Sequence, residues 1–371
     1  MKKTGKFRMI LSLICVAALI LPFASCGGSG GASALKLEGS YTRELEGTVL
    51  NVSNWGEYIS DGTDGSMNVV AEFQKLTGIT VNYTTFDSNE LLYAKLAGGG
   101  SNYDVIIPSD YLISRLISEG LLHKIHLENL SNYKYVMEEY TKLYYDPSGE
   151  YSVPYTIGMV GLIYNKTMVT PAPDSWAALW DEAYKDNILM IDNPRDAFGV
   201  TQFLLGQSVN STDPADWQAA AAKLKEQAPL LQTYVTDDVY NLMEDNAAAL
   251  APYYAGDYVL MNENNEDLGF VYPKEGTNFF YDSMCIPTTA QNIPAAELFI
   301  NFMLEPAIAL ANAETVLYAV PNASVRENPD YSYKDNPYLY PAILPQVQCF
   351  ENLPPETLKL MSDLWTEVKQ S

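Results

Sequence analysis

Trp55, Glu57 and Tyr58 place two aromatic faces and a carboxylate within four residues. They follow the apolar run 48–54, which reads as a buried strand. Ligands of α/β proteins collect beyond the carboxyl ends of strands, and both aromatic faces and carboxylates attract cations. The spacing therefore points to one wall of a pocket for an organic cation; the plain alternative is a surface loop with packing aromatics. Other chemically promising residues form weaker sets. His123 and His126 are the two histidines, three apart, with Glu119 or Glu128 as conceivable further metal ligands. Their surroundings match no zinc pattern, and the reading is a solvated loop. No GxSxG, GxxxxGK[ST] or GxGxxG is present. Paired carboxylates near aromatics would suit a glycoside hydrolase, and that is the competing enzyme reading. Nothing calls for a cofactor or a metal.

The elements that must position these residues alternate. After strand 48–54, a helical pattern carries Val70, Phe73 and Leu76 and stops at Gly78. Strand 79–85 follows. Asp87 with Glu90 reads as a capping box for a helix carrying Leu91, Leu92 and Leu96. Strand 103–107 leads to Ser109, a candidate cap for helix 110–119. Farther on, 151–156 and 159–164 read as two strands broken at Gly158, 175–184 as a helix, and 188–191 as a buried strand before helix 196–206. Asp213-Pro214 opens a helix to about 227. Strands at 230–234 and 248–254 flank a helix at 237–244. A strand at 281–286, two helices split at Pro306, and a last helix near 355–369 complete the chain. This alternation argues for a mostly parallel sheet flanked by helices.

Lys2, Lys3, Lys6 and Arg8 precede a short apolar run and Ala24-Ser25-Cys26. That is a secretory signal, too short for a comfortable membrane span. Cys26 followed by a Gly/Ser run resembles a lipoprotein lipobox and a flexible tether, with Phe23 where Leu is usual. Removing residues 1–25 leaves 18 basic residues against 46 acidic ones. Such a chain does not seek nucleic acid or anionic lipid. Some 346 residues remain, enough for two ordinary domains. Cys285 and Cys349 are the cysteines left outside the signal and lipobox, and spacing does not tell whether they pair.

Several segments in order resemble one family: Asn54-Trp55-x-Glu57-Tyr58, Ser88-Asn-Glu-x-x-Tyr-Ala-Lys-Leu96, Tyr103-Asp-Val-x-x-Pro-Ser109-x-Tyr111, Val153-Pro-Tyr155, Ser175-Trp-x-x-Leu-Trp180, Tyr272-Pro-Lys-Glu-Gly276, Asp282-Ser283 and Ala313-Glu-Thr315. They resemble the spermidine/putrescine-binding proteins of bacterial polyamine ABC importers, from about residue 48 to the C-terminus. The resemblance implies a periplasmic-binding-protein type II fold: two α/β lobes with mixed, mostly parallel sheets, joined by crossover strands near 155, 280 and 325. The expected organisation is a signal peptide at 1–25, a lipid-anchored tether at 26–46, one lobe from 47–155 plus 281–325, and the other from 156–280 plus 326–371.

By the same resemblance Trp55 and Tyr58 stack on the ligand, Glu57 binds an ammonium, and Ser109 and Tyr111 line that wall. In the other lobe an acid pair falls on Asn193 and Asp196, with Asp192 as the alternative to the neutral Asn193. Tyr254 and Phe280 take aromatic positions often held by Trp. Asp282 holds an inner ammonium, Tyr318 lines the pocket, and Glu351 stands at a polar position near the tail. Asp257 is a secondary candidate, as a cap or hinge residue. The expected protein is not an enzyme. It is a monomeric, lipid-anchored extracytoplasmic receptor that passes polyamine to ABC permease subunits. A binding protein of the same fold for a sugar, an iron complex or thiamine is the other alternative.

Overall fold

The computed structural model describes residues 35–371. The signal segment 1–25, Cys26 and the Gly/Ser run after it lie outside the described residues. Among the described residues eleven strands follow in chain order: β1 (Val49–Asn54), β2 (Thr80–Thr85), β3 (Val105–Ile106), β4 (Leu122–His123), β5 (Ser152–Asn165), β6 (Ile188–Ile191), β7 (Leu231–Val235), β8 (Leu250–Tyr254), β9 (Leu268–Val271), β10 (Thr277–Pro287) and β11 (Val347–Gln348). Their path runs β2-β1-β3-β10-β5-β8-β6-β7, with β4 and β11 paired to β10 and β9 to β5. The two ends of this path are parallel. The middle is antiparallel, where β10 meets β3 and β5, and β5 meets β8.

The local signals at the parallel ends act as their chemistry requires. Helix Val69–Thr77 begins at Asn68, whose side chain accepts from Ala71 N, and ends at Gly78 in the left-handed region that glycine tolerates. Helix Asn89–Ala97 is capped by Ser88 through Leu91 N, so Ser88 rather than Asp87 is the N-cap. Asp213 caps helix Pro214–Gln227 as expected. The span 175–184 is two short 3-10 segments, Trp176–Trp180 and Glu182–Tyr184, rather than one helix. No strand forms near 325: Ala323–Arg326 is a one-turn helix, and the backbone is tied in by single bridges, Val136 to Asn322 and Ile157 to Ala319.

Gly158 does not break a strand. β5 runs unbroken for 14 residues, roughly 46 Å at about 3.3 Å per residue. Its first part pairs with β10 as far as Met159, and from Val160 it pairs with β8. One apolar cluster packs Trp176, Phe198, Trp217, Leu189 and Leu250 behind β5, β6 and β8; a separate one packs Ile106, Leu112, Ile113 and Leu116 behind β3. Burying such side chains is worth about 1.5–3 kcal/mol each.

The start of the described chain is docked rather than tether-like. The buried Glu305 carboxylate accepts from Glu38 N at 2.9 Å, Gly39 N at 2.5 Å and the Tyr41 hydroxyl at 2.8 Å. The Tyr41 ring packs edge-on against Phe302. Three charge-assisted bonds outweigh the coil preference expected up to residue 46. Cys285 and Cys349 are both free thiols. Among the described residues no single helix is long and apolar enough to cross a membrane.

Candidate functional site

The loop after β1 is shaped by Asn54. Its amide donates to Tyr58 O at 3.1 Å and accepts from Trp55 N at 2.9 Å, folding residues 55–58 back on the strand end. Tyr155 of β5 donates to the same Tyr58 carbonyl at 2.9 Å. Trp55 and Tyr58 thereby face a cleft of about 930 Å³, open solvent at its mouth included. Glu57 does not: its φ of 49° turns it outward, and it is exposed.

Ten of the twelve expected contact residues line this cleft: Trp55, Tyr58, Ser109, Tyr111, Asn193, Asp196, Tyr254, Phe280, Asp282 and Tyr318. Glu57 and Glu351 are outside it. Glu351 is exposed, and its neighbour Phe350 supplies the wall at that end. Phe350 stands edge-on to Tyr111. Arg195, fully buried, lies behind it at 4.5 Å from the ring centroid.

β10 delivers the innermost acid. Asp282 sits where the β5–β10 register shifts, an irregularity of the kind that re-aims side chains next to sites. Its Oδ2 accepts from the Tyr58 hydroxyl at 2.7 Å, while Oδ1 is buried with no hydrogen-bond partner. Burial pushes its pKa to about 6, against the opposing pull of Tyr58 and nearby hydroxyls. Two ladder positions away from Thr156 and Asp282, Phe280 lies across from Gly158, where any Cβ would collide with its ring. The glycine is thus the seat of a cleft aromatic.

Asp196 has the same environment on the other side. It stands in the first turn of helix Pro194–Leu204. Its Oδ2 accepts from the Tyr254 hydroxyl at 2.8 Å, its Oδ1 has no partner, and burial raises its pKa to about 7. Asn193 caps that helix through Arg195 N and Asp196 N, so its carbonyl oxygen is committed to the backbone. Asp192 also reaches the cleft, but Lys369 neutralises it at 2.8 Å.

Sequence reasoning missed Asp87, Asp110 and Asp237 and set Asp257 aside; all four line the cleft. Asp110 is buried, accepts from Tyr111 N and Tyr281 N, and is raised to about 8 by burial. Asp257 accepts from the hydroxyls of Tyr240 and Tyr318, and burial raises it to about 6. Asp237 lines the cleft beside Gly56, its Oδ2 2.9 Å from where a Cβ on that glycine would be. The available signal was position: Asp110 and Asp257 each lie within three or four residues of a strand end.

In sum, among the described residues the lining carries seven aspartates, nine aromatic residues, and no lysine, arginine or histidine. The aromatic rings touch one another. Tyr58 packs on Tyr318 at 5.0 Å, Phe280 on Tyr254 at 5.5 Å, and Phe280 on Tyr318 at 6.2 Å. Buried carboxylates without counter-ions favour a desolvated cation that brings its own hydrogen-bond donors, and the rings suit an apolar linker between such cations. The histidines lie elsewhere. His123 is in β4, not in a loop, and His126 Nδ1 meets Glu297 at 2.7 Å. Among the described residues no group of three or more His, Cys, Asp or Glu could hold a metal ion.

Residues 68–340 match the model of the bacterial extracellular solute-binding proteins. The spermidine/putrescine-binding periplasmic protein of Salmonella typhimurium is 34% identical over 312 residues, covering 84% of this chain and 88% of the other. A solved structure of a candidate spermidine/putrescine ABC transporter protein from Listeria monocytogenes superposes with a TM-score of 0.82 at 39% identity, covering 87% of this chain and 99% of that one. The Tp0655 (TpPotD) lipoprotein of Treponema pallidum superposes with a TM-score of 0.71 at 26% identity, covering 86% and 99%. The mixed α/β architecture is therefore a periplasmic-binding-protein fold, and the chain belongs to the bacterial extracellular solute-binding protein family, as a relative of its spermidine/putrescine-binding members.

Proposed function

We propose that this protein is the receptor of an ABC importer, capturing a polyamine, spermidine or putrescine, and delivering it to a membrane permease. The observation that carries the reading is the cleft lining, which among the described residues holds seven aspartates and nine aromatics with no basic side chain. Each desolvated ammonium requires carboxylate or carbonyl partners, and each methylene run requires an apolar wall. The relatives' names point the same way. Trp55, Tyr58, Ser109, Tyr111, Asn193, Asp196, Tyr254, Phe280, Asp282 and Tyr318 form the contact set in this reading. Asp282 and Asp196 are its main ammonium partners.

Two lobes, 47–155 plus 281–325 and 156–280 plus 326–371, close over the ligand by a hinge motion. The protein has no hydrolase activity and works as a monomer. It is extracytoplasmic and held at the membrane by a lipid on Cys26, a reading supported by the lipobox-like sequence and by the lipoprotein relative from Treponema pallidum. Replacing Cys26 with Ala would then move the protein from the membrane to the soluble fraction. A thermal-shift screen with putrescine, spermidine, spermine, sugars, thiamine and ferric complexes tests the ligand class. A rise in melting temperature with polyamines alone is expected. A rise with a sugar, thiamine or an iron complex instead would overturn the reading.

A further inference from the structure

Tyr111 has two sides. One faces the cleft, and the other borders a second cavity of about 800 Å³, open solvent at its mouth included. Helices Asn89–Ala97 and Asp110–Ser118 line that cavity on one side, and the C-terminal helix Pro355–Lys369 lines it on the other. Glu90 borders the second cavity and not the cleft. Its Oε1 accepts from the Tyr111 hydroxyl at 3.0 Å, and its Oε2 is buried with no hydrogen-bond partner. The basic residues of this lining, Arg115 and Lys359, pair instead with Glu119 at 2.9 Å and Asp363 at 2.6 Å.

Ser88 is the N-cap, so Glu90 stands at the second helical position, one residue short of the acid of a capping box. An exposed acid in a first turn favours the helix start, but a buried one costs free energy that a contact must offset. Burial raises the Glu90 pKa, against the pull of its own backbone N–H, the Tyr111 hydroxyl and Arg195. The offsetting contact runs to the cleft wall. Asp110 sets the Tyr111 backbone, accepting from Tyr111 N at 2.7 Å and from Tyr281 N at 3.2 Å. The side-chain torsions of Tyr111 are then left to be fixed. Phe350 meets the ring edge-on at 6.0 Å, and the Arg195 guanidinium carbon is 5.9 Å from its centroid. The hydrogen bond to Glu90, with the Asn89 amide beside it, grips the far end of the side chain.

We infer that Glu90 is a positioning residue for ligand binding: from outside the cleft it holds the Tyr111 hydroxyl, and so fixes the ring that the polyamine packs against. The inference rests on the polyamine reading above. A ring already held loses no rotational freedom when a ligand's methylenes settle on it. A ring left free must be frozen by the ligand, and affinity falls accordingly.

Calorimetry with spermidine on wild type, Glu90→Leu, Tyr111→Phe and the double variant tests it. Glu90→Leu and Tyr111→Phe each weaken binding about three- to tenfold. The double variant is no weaker than either alone, because both changes remove the same bond. Glu90→Gln keeps an acceptor oxygen and recovers affinity to within about twofold of wild type. Additive losses, an unchanged affinity in Glu90→Leu, or a loss in Glu90→Gln equal to that in Glu90→Leu overturns the positioning role and leaves the polyamine reading standing. Tyr111→Phe covers the case in which Glu90→Leu does not fold. Its hydroxyl is engaged at Glu90, outside the cleft, so an unchanged affinity in that variant overturns the inference. Binding of no polyamine by the wild type overturns both.

Discussion

Replacing Asp282 with Asn separates binding from folding at one atom pair. The carboxylate is 3% exposed, has no basic partner, and keeps Oδ1 unbonded. An ammonium placed there forms a charge-assisted hydrogen bond out of water, worth about 1.5–3 kcal/mol. Asparagine preserves the shape and can still accept from Tyr58 through its oxygen, but its NH2 then stands where Oδ1 was, so the loss is the charge together with the acceptor facing the ammonium. About 2–3 kcal/mol corresponds to roughly 30- to 150-fold weaker spermidine binding. The ligand-free protein should behave in the opposite way. Burying a carboxylate at neutral pH costs stability, as its raised pKa records. The neutral amide should therefore leave the melting temperature at pH 8 unchanged or higher. Calorimetry and thermal unfolding on the same preparation read both quantities. Unchanged affinity would refute the placement of an ammonium at Asp282. A fall in affinity together with a fall in melting temperature would refute the claim that the acid is there for binding rather than for the fold.

The other predictions concern pH, packing and the docked N-terminal segment. Asp282, Asp257 and Asp196 hold raised pKa values of about 6, 6 and 7 through burial. For an acid raised on folding, the native state binds more protons than the unfolded chain. The stability of the ligand-free protein therefore falls as pH rises from about 4 to 7, while polyamine affinity rises over pH 5–8 as the acids ionise. Melting curves and calorimetry across that range should slope in opposite directions. Gly158→Ala drives a methyl into the Phe280 ring and should cost about 1–3 kcal/mol, with weaker ligand binding, as read by denaturant unfolding and calorimetry. Glu305→Ala leaves Glu38 N, Gly39 N and the Tyr41 hydroxyl without their acceptor. Cleavage by a dilute protease around residues 37–46 should then quicken by tenfold or more, while ligand affinity stays the same.

Much of this architecture was legible because single residues carried unambiguous physical instructions. Gly78 can take the left-handed turn that stops a helix, and Asp213-Pro214 can only start one. The aromatics and the acid at 55–58 stood out because a cation site needs those types at a strand end, whereas Asp196, Phe280 and Asp282 were placed by the family resemblance. What escaped depended on partners distant in sequence. Gly158 reads as a strand breaker until the Phe280 ring opposite it is known. Segment 37–46 reads as tether until Glu305, more than 260 residues away, is seen to hold it. Glu57 looks like the natural ammonium partner beside two aromatics, yet its positive φ sends it to solvent, and acids from β10 and the starts of four helices line the cleft. Glu351 failed for a related reason: its backbone, not its side chain, is used, accepting from Arg195 and donating to Asn210.

The change of partners along β5 has a mechanical consequence. Met159 is its last residue paired with β10, and Val160 is its first paired with β8. Strands held on both sides resist bending, so a rotation of one half of the sheet against the other concentrates its strain at this joint. Gly158 is the most pliable residue beside it. Phe280 rests directly on Gly158 and also forms part of the cleft wall. The joint and this aromatic of the cleft wall are therefore in van der Waals contact, so torque applied at the joint would move that wall without any intervening linkage.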